Sequence, residues 1–467
     1  MERKYLNDLI ARNNDTNKKP LMVWGARQVG KTYLIEELFA KNFYKGKYLR
    51  IDCSDDTSFT QYALKNPSLD KVLDYLKINY RFNDDGKHLL IFDEAQECLP
   101  LVKMMKHFCE KRRDIPLIVT GSLVRLKIFR DAHKRGVNTQ NSKFIFPVGK
   151  INQLYMYPLT FDEFVYNYNK SLYDYLKTHF KNNITIDYEV HEELLKVFND
   201  YLFIGGMPEV VETFINESGD KYRAYNLSIK KINEIYDNYL ADMDLYQASP
   251  ESIIRSRHVY NDIYKQLNKE NKNFKFSLSV NGARGRDMIN PIAWLVEARV
   301  VNQSFLLKEK IRSPLIKEED SLMRLYLADS GIFTHQSGMN AKTFFFNDMN
   351  SLSDIFYENY VSTELSARGY NLFYWKGKRN SEFEFILDID SRIIPIDVKK
   401  SRGKLNSLEE FRQHNKKDVV IKVSSNQCGF DKNNLILTIP FYYFSFFLDA
   451  LKEGGSDYLD KLIGSFN

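Results

Sequence analysis

The chain has 467 residues, of which 43% are hydrophobic and 27% charged, with a formal net charge of +6. That length predicts about two to four domains with several apolar cores, and so small a charge surplus permits nucleotide or nucleic-acid partners without arguing for them. The cysteines Cys53, Cys98, Cys109 and Cys428 are dispersed and form no CxxC pair, which argues against a disulfide framework and against structural zinc. The N-terminal stretch MERKYLNDLIARNN lacks the apolar centre of a signal peptide, and the apolar runs are too short or too polar to span a bilayer. A cytoplasmic protein with no membrane partner is expected.

In chain order, the first apolar runs are Leu21–Trp24, Tyr48–Cys53, Leu89–Phe92 and Leu117–Thr120. They are continuous rather than alternating, as in strands buried on both faces of a parallel sheet. Helical patterns at Thr32–Lys41 and Leu101–Arg112 lie between them, so an α/β domain over residues 1–168 is predicted. From 169 to 335 the chain reads as helical, with helices at His191–Phe203, Tyr222–Tyr246, Glu251–Glu270 and Asp287–Ala298. The turn Gly205-Gly206-Met207-Pro208 separates the first two. Strand-like pieces at Phe274–Ser279, Val301–Lys310 and Leu322–Ala328 make a winged-helix-like middle domain the expectation, able to contact DNA or to cover ATP. Tyr236, Tyr239 and Tyr246 read as core packing, and Gly282–Arg286 as a basic turn. Thr334–Ser353 is polar and Asn-rich and reads as a linker. A smaller α/β unit over 350–467 is then expected, with a helix at Asp354–Ala367, strands at Tyr370–Trp375, Phe383–Leu387 and Ile393–Lys399, a helix at Leu405–His414 and a strand at Val419–Val423.

Gly25-Ala26-Arg27-Gln28-Val29-Gly30-Lys31-Thr32 fits GxxxxGK[ST] between a strand and a helix. Its backbone N–H groups and the helix N-terminus suit phosphate. Lys31 would reach the β- and γ-phosphates, and Thr32 would hold Mg²⁺. Downstream, Leu89–Phe92 runs into Asp93 and Glu94. On a strand placed beside the phosphate loop, Asp93 would serve the metal and Glu94 would deprotonate water. The run before Gly121 ends in Thr120, which would meet that water or the γ-phosphate. ATP and Mg²⁺ are thus the expected ligand and ion.

At these residues the chain resembles the AAA+ ATPases, with Asp93-Glu94 as the Walker B box and Thr120 at the first sensor position. Further stretches are YPLTFDEF (Tyr157–Phe164), YLFIGGMPEVV (Tyr201–Val211), LYLADSGIF (Leu325–Phe333), YENYVSTEL (Tyr357–Leu365) and PIDVKKS (Pro395–Ser401). They are similar to those of a prokaryotic group in which the AAA+ module precedes a C-terminal domain of uncharacterised function. No arginine finger stands out; Lys150, Arg130 and Arg135 are candidates, though each reads more simply as a surface charge.

Near the C-terminus, Glu382 and Glu384 share one strand face, as do Asp397 and Lys399 on the next strand. This resembles the PD-(D/E)xK nuclease core, in which carboxylates hold a divalent metal and a lysine positions water. The resemblance implies Glu384, Asp397 and Lys399, with Glu358 or Glu364 as an extra ligand; Glu384 stands where that pattern more often has Asp. Three functions follow as expectations: an ATP-switched protein whose C-terminal domain acts on or docks to DNA, a metal-dependent DNA nuclease with a regulatory ATPase module, or a non-hydrolysing ATP-binding adaptor that recruits a protein partner. Self-association is a further expectation of the AAA+ resemblance.

Overall fold

A computed structural model describes the chain except residues 16, 123–148, 248, 280–284, 348–351, 379–380, 401–405 and 467. The finger candidates Arg130 and Arg135 and most of the basic turn at 282–286 therefore lie outside the described residues. The described residues form two compact units: one comprises Met1–Tyr157, Tyr239–Ser256 and Ala293–Arg299; the other, Pro158–Asn238, Arg257–Ile292 and Val300–Asn467.

The first unit is built on five strands: β1 (Leu21–Gly25), β2 (Tyr48–Asp52), β3 (Leu89–Asp93), β4 (Leu117–Gly121) and β5 (Asn152–Met156). All pairings are parallel, in the order β2-β3-β4-β1-β5. Every residue of β1, β3 and β4 is buried, which is why these segments read as unbroken apolar runs. Phe59, Leu73, Phe92, Val102 and Phe108 fill one core against the sheet. Strand β5, with its half-buried mixed side chains, had no such signature. The segment after the phosphate loop is helical but continues as a π-helix over Leu34–Tyr44. Strands β3 and β1 are not adjacent: β4 lies between them.

The second unit carries two sheets. One holds β6 (Val301–Leu306), β7 (Met323–Leu327), β8 (Leu372–Lys376) and β9 (Glu382–Phe383) in the order β7-β6-β8-β9. The other holds β10 (Phe385–Ile389), β11 (Arg392–Val398), β12 (Val420–Ser424), β13 (Gly429–Asp431) and β14 (Ile436–Pro440) in the order β10-β11-β12-β14-β13. The antiparallel pair β6–β7, expected as a wing, continues on its other edge into β8 through parallel pairing at Ser304–Leu306. Sequence segments on either side of the expected linker thus share one sheet.

Two expected elements are different in the structure. Phe274–Ser279 is not a strand: only Phe274 makes a strand-like bond, to Met323 O, and the Gln266 side chain takes the Lys275 N–H at 2.7 Å, so the chain turns into helix Phe276–Ser279. The expected linker contains helices Ser330–Ser337 and Ala341–Asn347, because Phe344 is buried and stacks on Phe203 at 4.2 Å. The terminal helix Phe441–Gly464 was legible only as an apolar run; its Phe441 ring lies 5.1 Å from Phe198 and 4.6 Å from Tyr357, stacked on both. Tyr236 and Tyr239 are buried, as core residues. Among the described residues no helix is long and apolar enough to cross a membrane.

Candidate functional site

The phosphate loop leaves the carboxyl end of β1, the edge of a parallel sheet where ligands bind. Gly25 has no room for a side chain: a Cβ there would lie 2.5 Å from Met156 O on β5. Gln28 and Gly30 adopt positive φ of 64° and 87°, which curls the loop into a cradle ahead of the helix at Lys31. Ala26 and Val29 are buried beneath it. Lys31 is buried too, and its Nζ donates to Gly25 O at 3.1 Å and Ala26 O at 2.8 Å. Burial lowers its pKa, an effect that Glu94 and Asp93 partly offset.

Asp93, at the end of β3, is 1% exposed and is the hub of the site. Its carboxylate accepts from Thr32 Oγ1 at 2.8 Å, from Arg50 at 3.0 and 2.7 Å, and from Thr120 Oγ1. Burial alone would raise its pKa, but the bonds from Thr120, Arg50 and Thr32 hold it below the ordinary value. Glu94 sits at φ 48°, an uncommon conformation for this residue type; its N–H points to Asp93 Oδ1 at 3.2 Å and Thr120 Oγ1 at 3.3 Å, and its carboxylate accepts from Gln96. The interposed β4 explains this arrangement: it puts Thr120 within reach of both Asp93 and the Glu94 backbone. Thr120 is thus bound to Asp93 rather than pointing freely toward a water.

Thr32 and Asp93 together offer a hydroxyl and a carboxylate oxygen side by side, a donor set suited to Mg²⁺ shared with phosphate oxygens. The collar of N–H groups and the Lys31 ammonium suit a triphosphate. These residues fit both groups.

Two contributors were not singled out in the sequence, and a third, Tyr239, was read only as core packing. Arg50 on β2 meets Asp93, Asp52 at 3.0 Å and Glu36 at 3.6 Å; an arginine inside an otherwise apolar strand run was the available signal. Asp242 pairs with Arg27 at 2.6 Å, and Tyr239 donates to Arg27 O at 3.1 Å. Both lie in helix Lys221–Tyr246, more than two hundred residues from the loop in sequence; no spacing rule could have found them. Burial raises the Asp242 pKa to about 6 despite Arg27. Lys150, a finger candidate, is an exposed partner of Glu110 at 3.1 Å.

In the second unit the C-terminal carboxylates do converge. Glu384, at the break between β9 and β10, is fully buried and accepts from Lys399 Nζ at 2.6 Å and Val398 N at 3.0 Å. Asp397 lies 3.6 Å from the same ammonium; burial, then Glu384, raise its pKa to about 7. Glu358 belongs to this group and Glu364 does not: Glu364 accepts from Phe161 N at 2.9 Å and pairs with Arg368 at 2.5 Å. The sequence did not foresee the resident cations. Lys272 bridges Glu358 at 2.6 Å and Glu382 at 2.8 Å, and Arg324 meets Glu382 at 2.5 Å. Burial would raise the Glu382 pKa, but Arg324 and Lys272 hold it at about 2. Among the described residues, no group of three or more acidic, histidine or cysteine side chains is arranged to hold a metal ion.

The sequence profile of an AAA domain matches residues 17–165. That segment has the five-stranded parallel sheet and phosphate loop of an AAA-like P-loop fold. Two families described as domains of unknown function match residues 195–343 and 354–442. No protein with a curated description matches the chain. Among solved structures it is similar to a Walker-type ATPase of Pyrococcus abyssi, at 17% identity over 72% of this chain and 95% of that one, with a TM-score of 0.42. It is also similar to a DNA replication initiation factor, at 14% identity over 63% of this chain and 86% of that one, with a TM-score of 0.24.

Proposed function

We propose that the chain binds ATP with Mg²⁺ at Gly25–Thr32 and hydrolyses it, and that the nucleotide state governs the second unit. The observation that carries this is the junction at Asp93, where the phosphate-loop hydroxyl of Thr32, the β4 hydroxyl of Thr120 and Arg50 of β2 meet on one buried carboxylate. Bound Mg²⁺ would neutralise charge on the β- and γ-phosphates. The protein's own groups do the rest. The loop N–H groups and Lys31 hold the phosphates. Asp93, kept ionised by its donors, stands ready as an oxygen ligand. Glu94, oriented by Gln96 and by its own backbone bond to Thr120, takes the proton of the attacking water. Arg27, tied to Asp242, gives helix Lys221–Tyr246 a direct hold on the loop.

The test is Mg²⁺-dependent phosphate release with and without DNA, beside Lys31→Ala and Glu94→Gln. Hydrolysis lost in both, with ATP binding retained in Glu94→Gln, supports the proposal. A wild-type rate equal to that of Lys31→Ala rejects it and leaves the adaptor function.

One observation favours nuclease-like chemistry for the C-terminal segment. Glu384 and Asp397 lie 2.6 and 3.6 Å from the Lys399 nitrogen, the pairing of carboxylates and lysine that the resemblance to a PD-(D/E)xK site implies. Cleavage of DNA in Mn²⁺, abolished by Lys399→Ala, is the outcome that would establish it. The salt bridges from Lys272 and Arg324 favour instead a docking role for the same fold, with DNA or a protein as its partner.

A further inference from the structure

The parallel sheet has a second edge. At its amino-terminal end, opposite the phosphate loop, the loops entering β1, β2 and β3 enclose an open pocket of about 400 Å³. Lys18 enters it ahead of β1, Lys45 and Lys47 ahead of β2, and Lys87 ahead of β3; Phe43 and Tyr44 complete the wall. No carboxylate lines it.

Four ammonium groups gathered in one pocket repel one another, and such clusters are usually laced with acids. Here the nearby acids lie outside the lining: Asp15 acts on Lys18 and Asp85 on Lys87 from its rim, and other cations hold most of them. Asp84 is held by Lys77 at 2.9 Å and Arg112 at 2.6 Å, Asp114 by Arg112 at 2.9 Å, and Asp85 by His88 at 2.8 Å. Among the described residues none of the four lysines has an ion-pair partner, and Lys18 reaches only the Asn13 carbonyl at 3.3 Å. A fifth cation stands behind them. Arg12 is bound through one end to Lys19 O, and its Nε is buried without a partner; burial lowers its pKa to about 10. The lysines of the lining therefore give the pocket a positive potential.

The apolar wall narrows the ligand class. Phe43 is 44% exposed, braced from below by Phe39 at 5.4 Å, and Tyr44 is fixed by its bond to Asn13 at 2.6 Å. A rigid, exposed ring beside converging ammonium groups is the pairing that holds a base by stacking and its phosphate by charge. The pocket is concave, which suits one nucleotide unit better than a flat lipid surface. We propose that this amino-edge pocket binds a nucleotide unit, free or within a single strand, with Lys45, Lys47 and Lys87 on the phosphate and Phe43 on the base. It is separate from the phosphate loop and does not depend on ATP hydrolysis there.

The experiment measures anisotropy of a fluorescent twelve-residue oligothymidylate on the full chain, with dTMP, inorganic phosphate and phosphatidylserine vesicles as competitors. Wild type is expected to bind. The triple variant Lys45→Glu, Lys47→Glu, Lys87→Glu should bind at least tenfold more weakly and show a salt slope smaller by about two, at roughly 0.7 per lost contact. Phe43→Ala should weaken the oligonucleotide several-fold and leave phosphate competition unchanged. A milder Lys→Gln triple, checked for an unchanged melting temperature, guards against misfolding. Displacement by dTMP at concentrations similar to those of oligonucleotide phosphate assigns a free nucleotide, and its failure to displace assigns a strand. Wild type that binds neither, triple variants that bind as wild type does, or displacement by vesicles alone would overturn the proposal.

Discussion

Asp93 shows how much a single buried carboxylate organises. With donors from two neighbouring strands and the phosphate-loop helix, it stays ionised where an isolated acid would not. Asp93→Ala leaves the Arg50 guanidinium half-buried with a lost partner, and a cost of about 3 kcal/mol is expected, read from urea unfolding; ATP hydrolysis should fall with it. Glu94→Gln keeps shape and hydrogen bonding but removes the base. It should lower kcat by about 10²–10⁴-fold with little change in ATP affinity, measured by single-turnover hydrolysis and by binding of a fluorescent ATP analogue. Asp242 gives a pH signature. Its folded pKa of about 6 lies above the ordinary 3.8, so between those values the folded chain keeps a proton that the unfolded chain has released. Its contribution to stability therefore declines as pH rises through that window and is flat above it. Melting curves of wild type minus Asp242→Asn across pH 4–7 should show that decline; a pH-independent difference would contradict it.

At the scale of elements, two motifs that carried the family resemblance turn out to be structural joints. The Gly205-Gly206 turn and the Asp329-Ser330-Gly331 segment close on each other: Gly206 N donates to Asp329 at 2.7 Å, Ile332 N donates to the same carboxylate at 3.0 Å, and Leu159 N reaches Gly206 O at 2.7 Å. A Cβ on Gly206 would lie 2.0 Å from Leu159 O, and one on Gly331 2.2 Å from Ile204 O. Gly206→Ala should therefore destabilise the chain by about 1–3 kcal/mol through forced backbone shifts, and Asp329→Ala by about 2–5 kcal/mol, because the buried N–H groups of Gly206, Gly331 and Ile332 lose their acceptor. Chemical denaturation followed by tryptophan fluorescence checks both. The segment Tyr157–Phe164 is likewise structural: Thr160 and Glu163 form a capping box, and Glu364 receives the Phe161 N–H. Helices and central strands were legible where one face or both faces were uniformly buried. Phe274–Ser279 and the Asn-rich stretch were misjudged because distant side chains, Gln266 and Phe203, decided their backbone.

At the scale of the molecule, the unit that carries the phosphate loop is not a contiguous stretch. Tyr239–Ser256 and Ala293–Arg299 belong to it, supplying Asp242 against Arg27 and Arg299 over the Tyr155 ring at 4.5 Å. A fragment ending at residue 168 lacks these contacts, and it should melt below the full chain and bind ATP more weakly; calorimetry on both proteins decides this. Saturating ATP with Mg²⁺ should stabilise the full chain by about 2.7 kcal/mol at a hundredfold excess over Kd, an effect absent in Lys31→Ala and reversed by removal of Mg²⁺ with EDTA.

By itself the sequence determined the phosphate cradle, the strand ending in Asp93-Glu94 and the polar strand tip at Thr120, because each is a local pattern whose chemistry depends on neighbours in the chain. The tertiary structure alone decided that β4 separates β1 from β3, that Arg50 and Asp242 close on the site, and that Lys272 and Arg324 sit among the C-terminal carboxylates. It alone also gathered four lysines from three loops on the far edge of the sheet. The reason is physical: strand order and ion pairing between distant segments are set by how apolar faces pack, and packing brings together charges whose separation in the chain carries no trace of their eventual contact.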